Sequence, residues 1–170
     1  MEQDLSPYNT LSIMNSASSN DQAAQKIAVA SVRRHSMTPD QWKHTVIGSI
    51  HPELASSFDF LPGERPIASG FFSQASWWFI STQRVVSQYQ GVRQELDPRY
   101  GVDHEFGNFK GIKRSESASA PATETATVTS LRTKQSVQFE FETGKASMAP
   151  IYACMFWSRV TAFHHDSRDA

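Results

Sequence analysis

The sequence predicts an α+β protein: a strongly curved antiparallel sheet or split β-barrel, closed by a C-terminal helix and preceded by added N-terminal helices. Three observations carry this. Val137, Phe139 and Phe141 alternate with Gln138, Glu140 and Glu142, the period of a half-buried strand. Ala149, Tyr152, Phe156, Val160 and Phe163 recur at spacings of three and four, which gives a helix one broad apolar face near residues 146–163. Between residues 63 and 142 strand-like runs follow one another at hairpin distance, without the crossover helices of a parallel sheet.

The elements follow in order. Residues 1–20 are rich in Ser and Asn and lack periodicity; they read as a flexible tail in which Leu11, Ile13 and Met14 dock locally. Residues 21–61 form an N-terminal helical extension. Its first helix starts at Asn20 or Asp21, is rich in Ala, and ends in Arg33 and Arg34, where the helix dipole favours cations. A second helix is expected from Thr38 as cap, Pro39 at the first position and Gln41 completing a capping box. Trp42, Val46 and Ile50 follow at spacings of four, and Pro52 should end it.

Residues 62–165 make up the β domain with its closing helix. Strands are expected over 67–72, 76–80, 85–89, 92–96, 106–113, 125–131 and 137–142. In the second of these Trp77 and Phe79 face one side and Trp78 and Ile80 the other, so both faces should be covered. Thr82 and Gln83 form either a kink or a tight turn. Gln90-Gly91 is a turn, residues 97–101 are a loop, and Gly107 or Gly111 marks a bulge in the next strand. Residues 113–124 (KRSESASAPATE) are a low-complexity surface loop.

A chain of 170 residues is long enough to bury a core without metals or disulfides. Its formal net charge of −1 removes the electrostatic case for a general nucleic-acid binder. The single cysteine, Cys154, suits a reducing compartment. No signal peptide and no transmembrane segment are expected, and the localisation predicted is cytoplasmic.

The run WFISTQRVVSQY (residues 78–89) places aromatic residues, then Thr82, then Arg84, then an apolar pair. It resembles a strand of bacterial pleckstrin-homology-like and GRAM-type domains. A segment similar to EFGNFKGIKRS, with Phe106, Phe109 and Ile112 at the family's apolar spacing, follows it. The resemblance covers residues 64–163. It implies a barrel whose open end is plugged by the last helix, and a domain that binds rather than catalyses. The helical N-terminal section and the long loop before the final hairpin depart from the family pattern.

Residue chemistry gives no catalytic set. Asp97, Asp103, His104 and Glu105 are metal-ligating types, but neighbours on a strand point to opposite faces, so a solvated acidic loop is the better reading. The run His164-His165-Asp166 sits at a polar end, and His35, His44 and His51 read as surface or cap residues. No serine lies in a Gly-x-Ser-x-Gly turn, and residues 107–111 lack the span and the Lys-Ser/Thr ending of a phosphate loop. Cys154 reads as a small buried hydrophobe. No metal or cofactor is expected.

The candidate ligand-binding residues are therefore cations. Arg84, Arg93, Lys110, Lys113 and Arg114 fall near strand ends, where the resemblance implies a basic barrel mouth for an anionic lipid or small ligand. The leading functional expectation is a non-enzymatic interaction domain that binds a protein partner or forms a homo-oligomer. Its motive is the strand edge that such a sheet leaves open; most of Trp77, Trp78, Trp157 and Tyr152 should be core, and a tryptophan on the wrong face of an edge strand would be a contact residue. An enzyme with a site not legible in sequence is the third class.

Overall fold

The computed structural model describes residues 7–36 and 38–165, with side chains described for 20–36 and 38–160. Helix α1 (Pro7–His35) starts earlier than the sequence suggests, so residues 7–20 are helical rather than tail. Pro7 suits the first helical position. Residues 8–20 contain no Gly or Pro, and Ser or Asn costs a helix at most about 0.7 kcal/mol each relative to Ala. Residues 1–6 lie outside the described set. Ala24, Ala28 and Val32, four apart, put one face of α1 into the main core rather than outside it. Gln25 Nε2 donates to the Pro66 carbonyl at 2.8 Å, which fixes the helix against the sheet.

The second helix expected over residues 38–50 does not form. A single 3-10 turn (Pro39–Gln41) is followed by a short strand, β1 (Thr45–Ile47). The spacing of Trp42, Val46 and Ile50 fits a helix, but tertiary partners take the backbone groups a helix would need. The Glu142 carboxylate accepts from Lys43 N at 2.8 Å, His44 N at 3.0 Å and Thr45 Oγ1 at 3.0 Å, and the His44 carbonyl accepts from Phe71 N at 2.9 Å. Pro52 opens a helix instead of ending one. Helix α2 (Pro52–Ala55) has His51 as its cap, with Nδ1 accepting from Glu53 N at 3.3 Å.

Strands β2 (Pro66–Ser73), β3 (Ser76–Ser81), β4 (Val85–Tyr89) and β5 (Val92–Leu96) then run as a meander. With β1 they make a five-stranded antiparallel sheet in the order β1-β2-β3-β4-β5. Strands β6 (Val102–Glu105), β7 (Thr123–Ser130) and β8 (Ser136–Glu142) make a second, three-stranded antiparallel sheet. No strand is formed over 106–113. Gly107 and Gly111 have φ of 41° and 65°, and Asn108 bonds both the amide and the carbonyl of Ile112, at 3.0 and 2.8 Å. That turn chemistry folds the segment back on itself.

The protein is thus α+β, with two antiparallel sheets and a C-terminal helix, α3 (Met148–His165), entered through a 3-10 turn (Gly144–Ser147). Strand β8 meets the larger sheet at three alternate strands. Gln138 N donates to Gln94 Oε1 of β5 at 2.8 Å, Ser76 Oγ of β3 donates to Glu140 at 2.7 Å, and Glu142 holds the start of β1. Its odd residues Val137, Phe139 and Phe141 point inward and are fully buried. At the opposite end α3 ties both sheets: Trp157 Nε1 donates to the Ser81 carbonyl of β3 at 3.2 Å, and Ser158 Oγ to the Val102 carbonyl of β6 at 2.9 Å.

The core lies between the sheets, α1 and α3, and includes Ile67, Trp78, Ile80, Val85, Leu96, Phe139, Phe141, Ala153 and Phe156. Trp78 lies across its paired residue Gly70 on the neighbouring strand β2, where an added Cβ would come 2.3 Å from Nε1. A second apolar cluster covers the other face of the larger sheet: Trp77, Phe79 and Val86 under Leu54 and Phe58. Both faces of β3 are buried, as its alternating aromatics require. Among the described residues no helix is long and apolar enough to cross a membrane.

Candidate functional site

The structure separates the five candidate cations into two groups. Arg84 and Arg93 lie on the outer face of the larger sheet; their guanidinium carbons stand 5.2 and 5.9 Å from the centre of the Phe58 ring. Arg84 does not stand at an open mouth. It is buried, with Nε donating to Glu64 Oε1 at 2.9 Å and Nη2 to Glu64 Oε2 at 3.0 Å. Nη1 reaches Glu95 at 3.2 Å, and Nη2 also donates to the Asp59 carbonyl at 2.6 Å.

Glu64 is satisfied from further sides. Ser81 Oγ donates to it at 2.6 Å and Leu61 N at 2.8 Å. Burial opposes the Arg84 charge, and the two carboxylates outweigh it, so its pKa stands above the ordinary arginine value. Ser81, Thr82 and Arg84 of the STQR step therefore form a structural knot: Thr82 Oγ1 accepts from Arg65 N at 3.0 Å. Arg93 is exposed, its guanidinium 5.6 Å from the Trp77 ring centre.

Lys110, Lys113 and Arg114 lie in the connection between β6 and β7. Arg114 pairs with Glu124 at 3.2 Å, and Lys113 is exposed. Lys110 stands 5.8 Å from the Phe109 ring centre and lines an open cavity with His35, Phe109, Gly144, Lys145 and Met148. A neighbouring cavity shares Phe109 and Met148 and continues past Phe106, Ile151, Tyr152 and Met155 to His104. The two have volumes of about 410 and 380 Å³ and together make one groove along α3.

The origin of the groove is readable from α3 itself. Ala149, Ala153, Phe156 and Trp157 are buried against the sheets. Ile151 and Tyr152, three and four residues past Met148, and Met155, four and three past them, form a second apolar stripe that is only half-buried. A helix apolar around most of its circumference belongs inside a protein, and here the sheets and α1 together cover only part of it.

The opposite wall is the turn after β6. Gly144 N donates to the Phe109 carbonyl at 2.7 Å, and a Cβ at Gly111 would lie 2.9 Å from Thr143 Oγ1. These contacts pin the turn to the end of β8 and present Phe109 to α3. At the cationic end His35 stacks on Tyr152, with ring centres 3.8 Å apart and planes 7° from parallel, and its Nδ1 donates to the Ser31 carbonyl at 2.8 Å. At the other end His104 Nδ1 is buried without a hydrogen-bond partner. Burial lowers the His104 pKa, against a smaller opposing pull from Asp103.

The remaining polar candidates are taken up locally. Asp97 pairs with Arg99 at 2.6 Å, and Asp103 accepts from the His104 amide at 2.9 Å. Among the described residues no group of three or more His, Cys, Asp or Glu side chains is placed to hold a metal ion. His164-His165-Asp166 falls outside the residues whose side chains are described. The Cys154 thiol is fully buried and its pKa is pushed up to about 12 by burial, which leaves it without thiolate character at neutral pH.

The sequence reading placed Tyr152 on the buried face of the last helix, took His35 for a surface or cap residue, and passed over Met148, Ile151, Met155 and Lys145. The available signal was that α3 carries more apolar residues than one face can hold. Comparisons with protein-family models, with curated proteins and with solved structures find no match for this chain.

Proposed function

We propose that this chain is a non-enzymatic interaction domain whose α3 groove takes an apolar segment of a partner protein bearing acidic residues at one end. The observation that carries the reading is the half-buried stripe Met148–Ile151–Tyr152–Met155 facing Phe106 and Phe109, with Lys110 at its rim. An open groove with flexible methionines fits a peptide better than an enclosed pocket would, because thioether side chains repack around differing apolar residues. Lys110 favours carboxylates on the incoming segment and sets its direction. The meander β2–β5, the second meander β6–β8 and one closing helix support a split-barrel, pleckstrin-homology-like reading of the fold, and the buried unpaired thiol supports a reducing compartment.

Peptide display against the immobilised protein tests this. Enriched sequences should combine spaced apolar residues with Asp or Glu at one end, and Lys110→Glu should abolish the acidic preference. Enrichment without charge preference would overturn the reading. A second reading, an anionic lipid surface, is favoured by Ile112, 62% exposed between Lys110 and Lys113. Flotation with phosphatidylserine vesicles, lost on Ile112→Ser, would support that reading in place of the first.

A further inference from the structure

The strand edges of the molecule are not equally protected. The start of β1 is held by the Glu142 carboxylate, and the Gly48 carbonyl just past its end accepts from Gln25 at 3.5 Å. The Gln138 amide of β8 is taken by Gln94, and the Val102 carbonyl of β6 by Ser158. Strand β5 ends the five-stranded sheet, pairs with β4 over Val92–Leu96 without a register shift, and carries neither Pro nor a bulge. Among the described residues no hydrogen bond reaches the main chain on its outer side.

The hairpin fixes which groups that edge presents. Gln90 and Gly91 have φ of 51° and 79°, both positive, as in a two-residue type I′ turn. Tyr89 and Val92 then close the ladder as a hydrogen-bonded pair, so Gln94 and Leu96 also bond inward to β4. The amides and carbonyls of Arg93 and Glu95 are left pointing outward. Their side chains share the outer face: Arg93 lies over Trp77, and Glu95 meets Arg84 while remaining 47% exposed.

We propose that a second copy of this chain pairs antiparallel with β5, with Gln94 opposite Gln94 at the two-fold axis. In that register each outward-facing Arg93 exchanges both main-chain bonds with Glu95 of the other copy, so hydrogen-bond phase and charge agree. Two opposite-charge cross-strand pairs form at once. A shift by two residues keeps the phase but separates the charges. An edge of alternating sign repels apolar strands and selects a complementary one, and this edge is its own complement. The proposal concerns a surface separate from the α3 groove and stands independently of what that groove binds.

Sedimentation and charge reversal test it together. The unaltered protein should dimerise, and Arg93→Glu and Glu95→Arg should each weaken the dimer roughly ten- to a hundredfold. An equimolar mixture of the two variants should restore association, because each then meets its complement. Glu95 also serves Arg84, so a second variant guards against misfolding. Gln94→Cys should form an intermolecular disulfide on mild oxidation, since non-hydrogen-bonded partners have Cα atoms about 4.5 Å apart, within disulfide range. Leu96→Cys should not, and Cys154 is buried and does not compete. A monomer at all concentrations, a dimer indifferent to Arg93→Glu, or absence of the Gln94→Cys cross-link would each overturn the proposal.

Discussion

Two regions of this protein set a cation beside aromatic rings, and they differ in what the cation touches. Under Phe58, Arg84 is buried and spends its donors on Glu64, Glu95 and the Asp59 carbonyl. Beside Phe109, Lys110 is exposed at the rim of a groove whose lining is mostly apolar. The first arrangement is closed, with charge, hydrogen bonds and packing completed from within the chain. The second leaves apolar surface and positive charge side by side at the surface, which on the proposed reading a partner would complete. The contrast separates the two readings that a basic residue near a strand end permits: architecture where the charge is paired and dry, recognition where it is wet and borders an uncovered apolar stripe.

The largest test of the contrast is at Arg84. Arg84→Met should cost roughly 3–5 kcal/mol in chemical denaturation, because it leaves Glu64 buried without its counter-ion. Arg84→Met combined with Glu64→Leu should recover much of that loss. If Arg84→Met is neutral, the outer face is not the closed unit described. Phe109→Ser, on the groove wall, should cost only about 1 kcal/mol, since the ring is half-buried, while removing peptide binding. A cost as large as that of Arg84→Met would make the groove a structural element rather than a docking one.

The smallest effect is with pH. His104 has a folded pKa below its ordinary value because burial disfavours the imidazolium. Its contribution is fully present above about pH 6.5, the unfolded value, and is lost as the pH falls through the lower folded value. The stability of the unaltered protein relative to His104→Phe should therefore fall from pH 7 to pH 5. His51, whose pKa burial also lowers, titrates in both proteins and cancels. A difference that stays constant across this range would show that His104 is not held neutral.

How much of this was legible in sequence varies with the range of the interaction involved. Strands β4 and β5 and the turn at Gln90-Gly91 were read at their observed bounds, because alternation and turn chemistry are local. Strand β1 was not. Its partners are Ala68 to Gly70 and Glu142, and three residues recruited from that distance leave no periodic trace. The segment 106–113 misled because Phe106, Phe109 and Ile112 carry strand-like apolar weight, whereas Gly107 and Gly111 with positive φ decide the backbone.

The groove was hidden for a different reason. Periodicity tells which residues share a face of α3, but not which face the sheets will cover. Tyr152 and Phe156, four apart, fall on opposite sides of that boundary: Phe156 is buried, and Tyr152 stacks on His35 at the rim.

The groove offers its own reporter. The chain has five methionines, and of these Met148 and Met155 both line the groove. With ¹³C-labelled methionine methyls, a display-selected acidic-apolar peptide should shift the Met148 and Met155 resonances, assigned by Met→Leu replacement. Binding of such a peptide with the Met148 and Met155 signals unmoved would place recognition elsewhere and contradict the account.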